Sequence, residues 1–101
     1  MRMTQHALTM AINKILRDES RYATGLEKGG DFGRAKLVWA AIDGVRRAMK
    51  TAAADETGFG EALHQALIER REEYRQDWDD PDGMGSSTFF RVLNHVEGEL
   101  P

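Results

Sequence analysis

Leu37-Val38-Trp39-Ala40-Ala41-Ile42 is apolar throughout. It opens a longer segment, Arg34 to Ala54, in which Val38, Ala41, Ile42, Val45, Met49 and Ala52 recur at three- and four-residue spacing. That period puts them on one face of an α-helix. Leu37, Trp39 and Ala40 widen the apolar surface well beyond one stripe in the first two turns. A helix apolar over most of its girth has to be covered from several sides. The stretch therefore predicts the central helix of a small bundle. It carries the architecture and says nothing of chemistry.

Upstream, Leu8, Ala11, Ile12, Ile15 and Leu16 form an apolar stripe that predicts a helix over 4–24, with Thr4 as its cap and Gly25 as its stop. The Gly-rich stretch from Leu26 to Gly33 reads as a loop, with Asp31 placed to cap the central helix. Downstream, Thr57-Gly58-Phe59-Gly60 reads as a short connection. A third helix is predicted from about Glu61 to Trp78, on Leu63, Ala66, Leu67, Tyr74 and Trp78. Arg70 interrupts that stripe, its long stem suited to the bundle's edge. Asp77 to Gly85 reads as a loop broken by Pro81. A last short helix, Thr88 to Glu97, carries Phe89, Val92, Leu93 and Val96 on one face, with Ser86 or Ser87 as cap and Gly98 as stop. No alternating pattern calls for a strand. The fold class is all-α: a small antiparallel bundle of three longer helices plus a short C-terminal helix, in one domain over 1–101.

Composition narrows the class. Hydrophobic content of 41% and charged content of 31% in 101 residues describe an ordinary globular chain. Without cysteine there is no disulfide and no zinc–thiolate site. No apolar run approaches the ~18 residues of a membrane span, and no secretion signal opens the chain, so a cytoplasmic protein without membrane contact is expected. The net charge of −3 hides an asymmetry. Residues 1–50 hold ten Lys/Arg against five Asp/Glu; residues 51–101 hold four Arg against twelve Asp/Glu. Two such halves attract one another mildly, or they present an acidic side to a basic partner.

The patterns that carry chemistry are missing. Ser20, Ser86 and Ser87 stand in no Gly-x-Ser-x-Gly elbow. His6, His64 and His95 fall on three different helices, with no second ligand at metal spacing. The acidic stretch Asp77-x-Asp79-Asp80-x-Asp82-Gly83 fails the register of a calcium loop. Counting back from Gly83 at position 6 puts Trp78 at position 1, and Phe89 stands at position 12. Lys28-Gly29-Gly30-Asp31-Phe32-Gly33-Arg34 matches no phosphate-loop pattern, and Asp31 occupies the cap an anion would need. The expectation is a protein with no catalytic residue, no metal and no cofactor.

One stretch bears on nucleic acid. Gly83-Met84-Gly85-Ser86-Ser87-Thr88-Phe89-Phe90-Arg91-Val92-Leu93-Asn94 resembles the turn and recognition helix of LacI-type repressors, which runs Gly-Val-Ser-x-x-Thr-Val-Ser-Arg-Val-Leu-Asn. The resemblance covers twelve residues. It implies, as the alternative reading, a helix-turn-helix DNA-binding regulator that uses residues 83–94. Against it, Asp79 and Pro81 depart from the family's preceding helix. Phe89 and Phe90 stand where the family has Val and a polar residue. Four Asp crowd the turn that would face phosphates, where binding needs Lys and Arg. Nucleic acid is not expected as the partner.

The predicted third helix carries charge that a core does not explain. Glu69, Glu73, Asp77 and Asp80 fall on one stripe, and Arg71 and Arg75 are likewise four apart. Like charges at this spacing cost roughly 0.2–0.5 kcal/mol per pair. A solvated face tolerates that cost; an acidic ridge offered to a partner would exploit it. The expected partner-binding surface is Glu69, Glu73, Asp77, Trp78, Asp79, Asp80, Asp82 and Phe90, the two rings serving as anchors. The function expected is a small non-catalytic protein-interaction or regulatory protein whose partner is a protein with a basic surface. A second copy of the chain is one candidate partner. A phage- or mobile-element-encoded inhibitor of the anti-CRISPR kind is one role that suits a compact, acidic, motif-free chain.

Overall fold

The computed structural model describes residues 4–55 and 58–100. Four helices follow one another: α1 Gln5–Lys28, α2 Phe32–Ala53, α3 Phe59–Asp77 and α4 Met84–Glu99. Among the described residues there is no strand. The architecture is the all-α bundle its sequence predicts. α2 packs against each of the other three helices, most extensively against α3. Its buried residues Ala35, Val38, Ala41, Ile42, Val45, Ala48 and Ala52 run its whole length. All but Ala35 meet Leu8, Ile12 and Leu16 from α1, Leu63 and Leu67 from α3, and Phe89, Val92 and Val96 from α4 in one apolar cluster. Met49 and Ile15 are only partly buried at its margin. No helix of the described residues is long and apolar enough to cross a membrane.

The helix starts follow local chemistry. The Thr4 hydroxyl accepts from the Ala7 amide at 3.1 Å, and an Asp31 oxygen accepts from the Arg34 amide at 3.2 Å. Each satisfies a first-turn donor that the helix itself leaves unpaired. The helix ends depart from expectation. α1 runs through Gly25, which is exposed, so that its missing side chain costs the core nothing. The stop lies at Gly29 and Gly30, where Gly30 takes φ +84° and turns the chain within three residues. α3 begins two residues early, at Phe59, so Phe59 and Gly60 belong to a helix. Thr57, the first residue of the predicted connection, lies outside the described residues. α4 is the largest correction: it spans 16 residues and begins at Met84, ahead of Ser86 and Ser87. Neither serine caps it, and Gly98 lies inside it.

Candidate functional site: the two flanks of α3 and the loop after it

The loop 78–83 is organised by one carboxylate. Asp80 accepts from the amides of Met84 at 2.7 Å, Gly85 at 2.9 Å and Ser86 at 3.1 Å. It also accepts from the Tyr74 hydroxyl at 2.8 Å. Asp80 thus does the work expected of Ser86 or Ser87, and ties the first turn of α4 to the last turns of α3. Burial alone would push its carboxyl up. The Ser86 amide, the Tyr74 hydroxyl and the Met84 and Gly85 amides outweigh that and hold it below the usual carboxylate value. Tyr74, buried and donating to Asp80, is pushed far above the ordinary tyrosine value, first by burial and then by that hydrogen bond.

Gly85 makes the junction possible. A Cβ there would collide with the Tyr74 hydroxyl and come within 2.7 Å of the Leu37 carbonyl oxygen. The start of α4 therefore lies directly on both α3 and α2. Tyr74 also packs against the Phe89 ring, with centroids 5.6 Å apart.

Around this junction α3 presents different charge on its two sides. Towards α2, Glu73 and Asp77 line an open groove of about 250 Å³, together with Asp43, Arg47, Arg70 and Trp78. Glu69 lies exposed one turn before Glu73. Towards α4, Arg71 and Arg75 line a second groove, of about 430 Å³, with Ser86, Ser87 and Phe90. The four-residue repeats of like charge are thus two stripes on opposite sides of the buried Tyr74.

The structure does not gather all eight sequence-predicted residues into one surface. Glu69, Glu73, Asp77, Asp79 and Asp82 are exposed, and Trp78 and Asp80 are partly buried. Several are already engaged. Glu73 meets Arg70 at 3.2 Å, Asp82 meets Arg34 at 3.1 Å, and Glu69 accepts from Gln65 at 3.2 Å. Asp80 has all its strong contacts inside the chain. Among the described residues, Asp77 and Asp79 have no cation within ion-pairing distance. They flank Trp78, whose ring lies beneath the Lys36 ammonium at 5.4 Å. Phe90 is 66% exposed but sits in the other groove, beside Arg71 and Arg75. It is no neighbour of the acidic stripe.

Two polar ties hold the remaining helices in place. The Trp39 indole donates to Glu27 at 2.8 Å, joining α2 to α1, and Arg91 meets the nearly buried Glu19 at 3.4 Å, joining α4 to α1. Arg91 stands in the stretch that resembles a recognition helix, and here its guanidinium contacts a carboxylate. The same stretch lacks the short helix-to-helix turn of a helix-turn-helix unit: residues 78–83 form a six-residue connection between α3 and α4. Among the described residues, no three His, Asp or Glu side chains come together as a metal set. Comparison with known protein families, curated proteins and solved structures finds no match to this chain.

Proposed function

We propose that this is a non-catalytic interaction protein that binds a basic surface of another protein through the acidic side of α3 and the loop after it. Asp77 and Asp79 carry the reading. They are exposed, without a cation of their own among the described residues, and set on either side of a partly buried Trp78. Glu73 and Glu69 extend the charge along α3, and Asp82 extends it along the loop. Around Trp78 the acids Glu69, Glu73, Asp77, Asp79 and Asp82 outnumber Lys36, Arg47 and Arg70, and such a net negative surface raises the encounter rate of an oppositely charged partner, while the ring supplies contact area once docked. Asp80 belongs to the scaffold of this surface, because its oxygens are engaged by α4 and Tyr74. A regulator or an inhibitor that acts by occupying a basic site is the role this surface suits.

DNA binding through residues 83–94 is the rival reading. The six-residue connection, the Arg91–Glu19 contact and the acid-rich loop all count against it. Comparative capture from the native host separates the two. The bait is the wild-type chain beside Glu73→Lys/Asp77→Lys and Arg17→Glu/Arg21→Glu. A protein retained by the wild type and by the α1 variant, lost from the acidic-face variant and eluted by salt, supports the proposal. Retention by all three refutes the acidic face. Saturable affinity for one duplex sequence at physiological salt, lost on Arg91→Ala, would establish the rival.

A further inference from the structure

Arg71 lacks what the other partly buried arginine has. Arg70, one residue away and of similar burial, is paired with Glu73 at 3.2 Å. Among the described residues Arg71 has neither a carboxylate within ion-pairing distance nor a hydrogen bond, and its Nε is buried without an acceptor. A guanidinium offers five donors and cannot shed its charge. Taking it out of water without a partner is costly. Its charge is open to the groove between α3 and α4, where Arg75 stands one turn further on, roughly 6 Å along the axis. Arg75 is held only by an exposed contact to Glu72 at 3.8 Å, the sort of pair that contributes little and exchanges readily.

The opposite wall is complementary. The Ser86 and Ser87 amides are taken up by Asp80 and by the Gly83 carbonyl. Neither hydroxyl has a hydrogen-bond partner among the described residues. Phe90 follows one turn along α4, two-thirds exposed beside the two guanidinium groups.

We propose that the groove between α3 and α4 is a second binding site, one that takes a carboxylate side chain of a short acidic peptide segment. Arg71 and Arg75 hold the carboxylate, the Ser86 and Ser87 hydroxyls donate to it, and an apolar residue of the same segment lies on Phe90. Arginine suits this because its planar fork matches two carboxylate oxygens. A polyanion is the wrong occupant. The groove offers two cations, whereas nucleic acid needs a run of them, and Glu72, Asp79 and Asp80 stand close by in an acidic half of the chain. This inference does not rest on the acidic face: Glu69, Glu73 and Asp77 lie across α3, and of that face's exposed acids Asp79 alone also borders Arg75 and Ser86.

The test is a nitrogen-15 NMR titration of the full chain that follows the Arg Nε–Hε signals. Three probes are used: a capped hexapeptide of glutamate and leucine, its lysine-for-glutamate counterpart, and hexathymidylate. The acidic peptide should saturate, shifting the Arg71 and Arg75 side-chain signals and the Ser86, Ser87 and Phe90 amides. Arg71→Gln/Arg75→Gln should weaken it at least tenfold, Phe90→Ala several-fold, and Glu73→Lys/Asp77→Lys not at all. Phe90→Ala alters an exposed ring, so it keeps the test decisive should the arginine variant fold poorly. The site is refuted by any of three results. One is no saturable shift at millimolar peptide. Another is shifts spread equally over Arg17, Arg21 and Arg46. The third is hexathymidylate binding more tightly than the acidic peptide, which would assign the groove to nucleic acid.

Discussion

Removing the Asp80 carboxylate should destabilise the fold more than any other single change on the acidic surface. In Asp80→Ala the first three amides of α4 lose their acceptor, and the Tyr74 hydroxyl loses its partner. Loss of a helix cap costs typically about 1 kcal/mol, within a range of about 0.5–2. A buried hydroxyl left unsatisfied costs a further ~1–3 kcal/mol. Together these give roughly 2–4 kcal/mol, which in a domain of this size lowers Tm by roughly 10 °C or more. Asp79→Ala is the control: next in sequence, exposed and without an ion pair among the described residues, it should stay within about 0.5 kcal/mol. Urea denaturation followed by circular dichroism reads both. Acid supplies a second measurement. The folded-state pKa of Asp80 lies below its unfolded value of about 3.9. Its contribution is therefore present above that value and lost as pH falls through the folded value. Wild-type stability should drop with pH in that acid range, and Asp80→Ala should flatten the drop. Equal stability of Asp80→Ala and Asp79→Ala would show that the loop is not held as described.

Other expectations follow from the same junction and from the core. Ile42→Ala, fully buried at the centre of α2, should cost ~2–5 kcal/mol by urea denaturation, and a loss under about 0.5 would remove α2 from the centre of the bundle. Gly85→Ala should cost ~1–3 kcal/mol, because its Cβ would overlap the Tyr74 hydroxyl. A Gly85→Ala loss under about 0.5 kcal/mol would contradict the close approach; Tyr74→Phe should not rescue it fully, because the ring carbon and the Leu37 carbonyl still crowd the added Cβ. Tyr74 has a folded pKa above its unfolded value of about 10, so stability should fall as pH rises beyond 10. Tyr74→Phe should lessen that alkaline loss in thermal melts across the range.

The central helix was legible because periodicity is a local property and α2 is apolar around most of its girth. Thr4 and Asp31 were legible as caps because each stands three residues before the amide it accepts. Gly25 misled because an exposed glycine is tolerated inside a helix, and its sequence does not distinguish it from a stop. The start of α4 was missed for a different reason. Its cap comes from Asp80, outside the helix and across a left-handed Gly83, so the nearest serines looked like better candidates. The candidate site was legible only as charge spacing. The repeats at Glu69, Glu73 and Asp77 and at Arg71 and Arg75 stand in the sequence. That they fall on opposite sides of Tyr74 follows from the helical period; which groove each stripe faces follows from where α2 and α4 pack. Arg47 lines the same groove as Glu73 and Asp77, so reversing its charge would disturb the acidic face itself. Arg17 and Arg21, on α1, line no part of that groove and serve as the control.

The acidic face is tested most directly by the association rate of the captured partner, measured by stopped flow over a range of ionic strength. The wild-type rate should fall steeply with salt, by tenfold or more between about 50 and 500 mM. Glu73→Lys/Asp77→Lys should associate more slowly at low salt and with a flattened dependence, while Arg17→Glu/Arg21→Glu follows the wild type. Wild-type rate and salt dependence in the Glu73/Asp77 variant would show that the acidic side of α3 is a solvated face and not the docking surface.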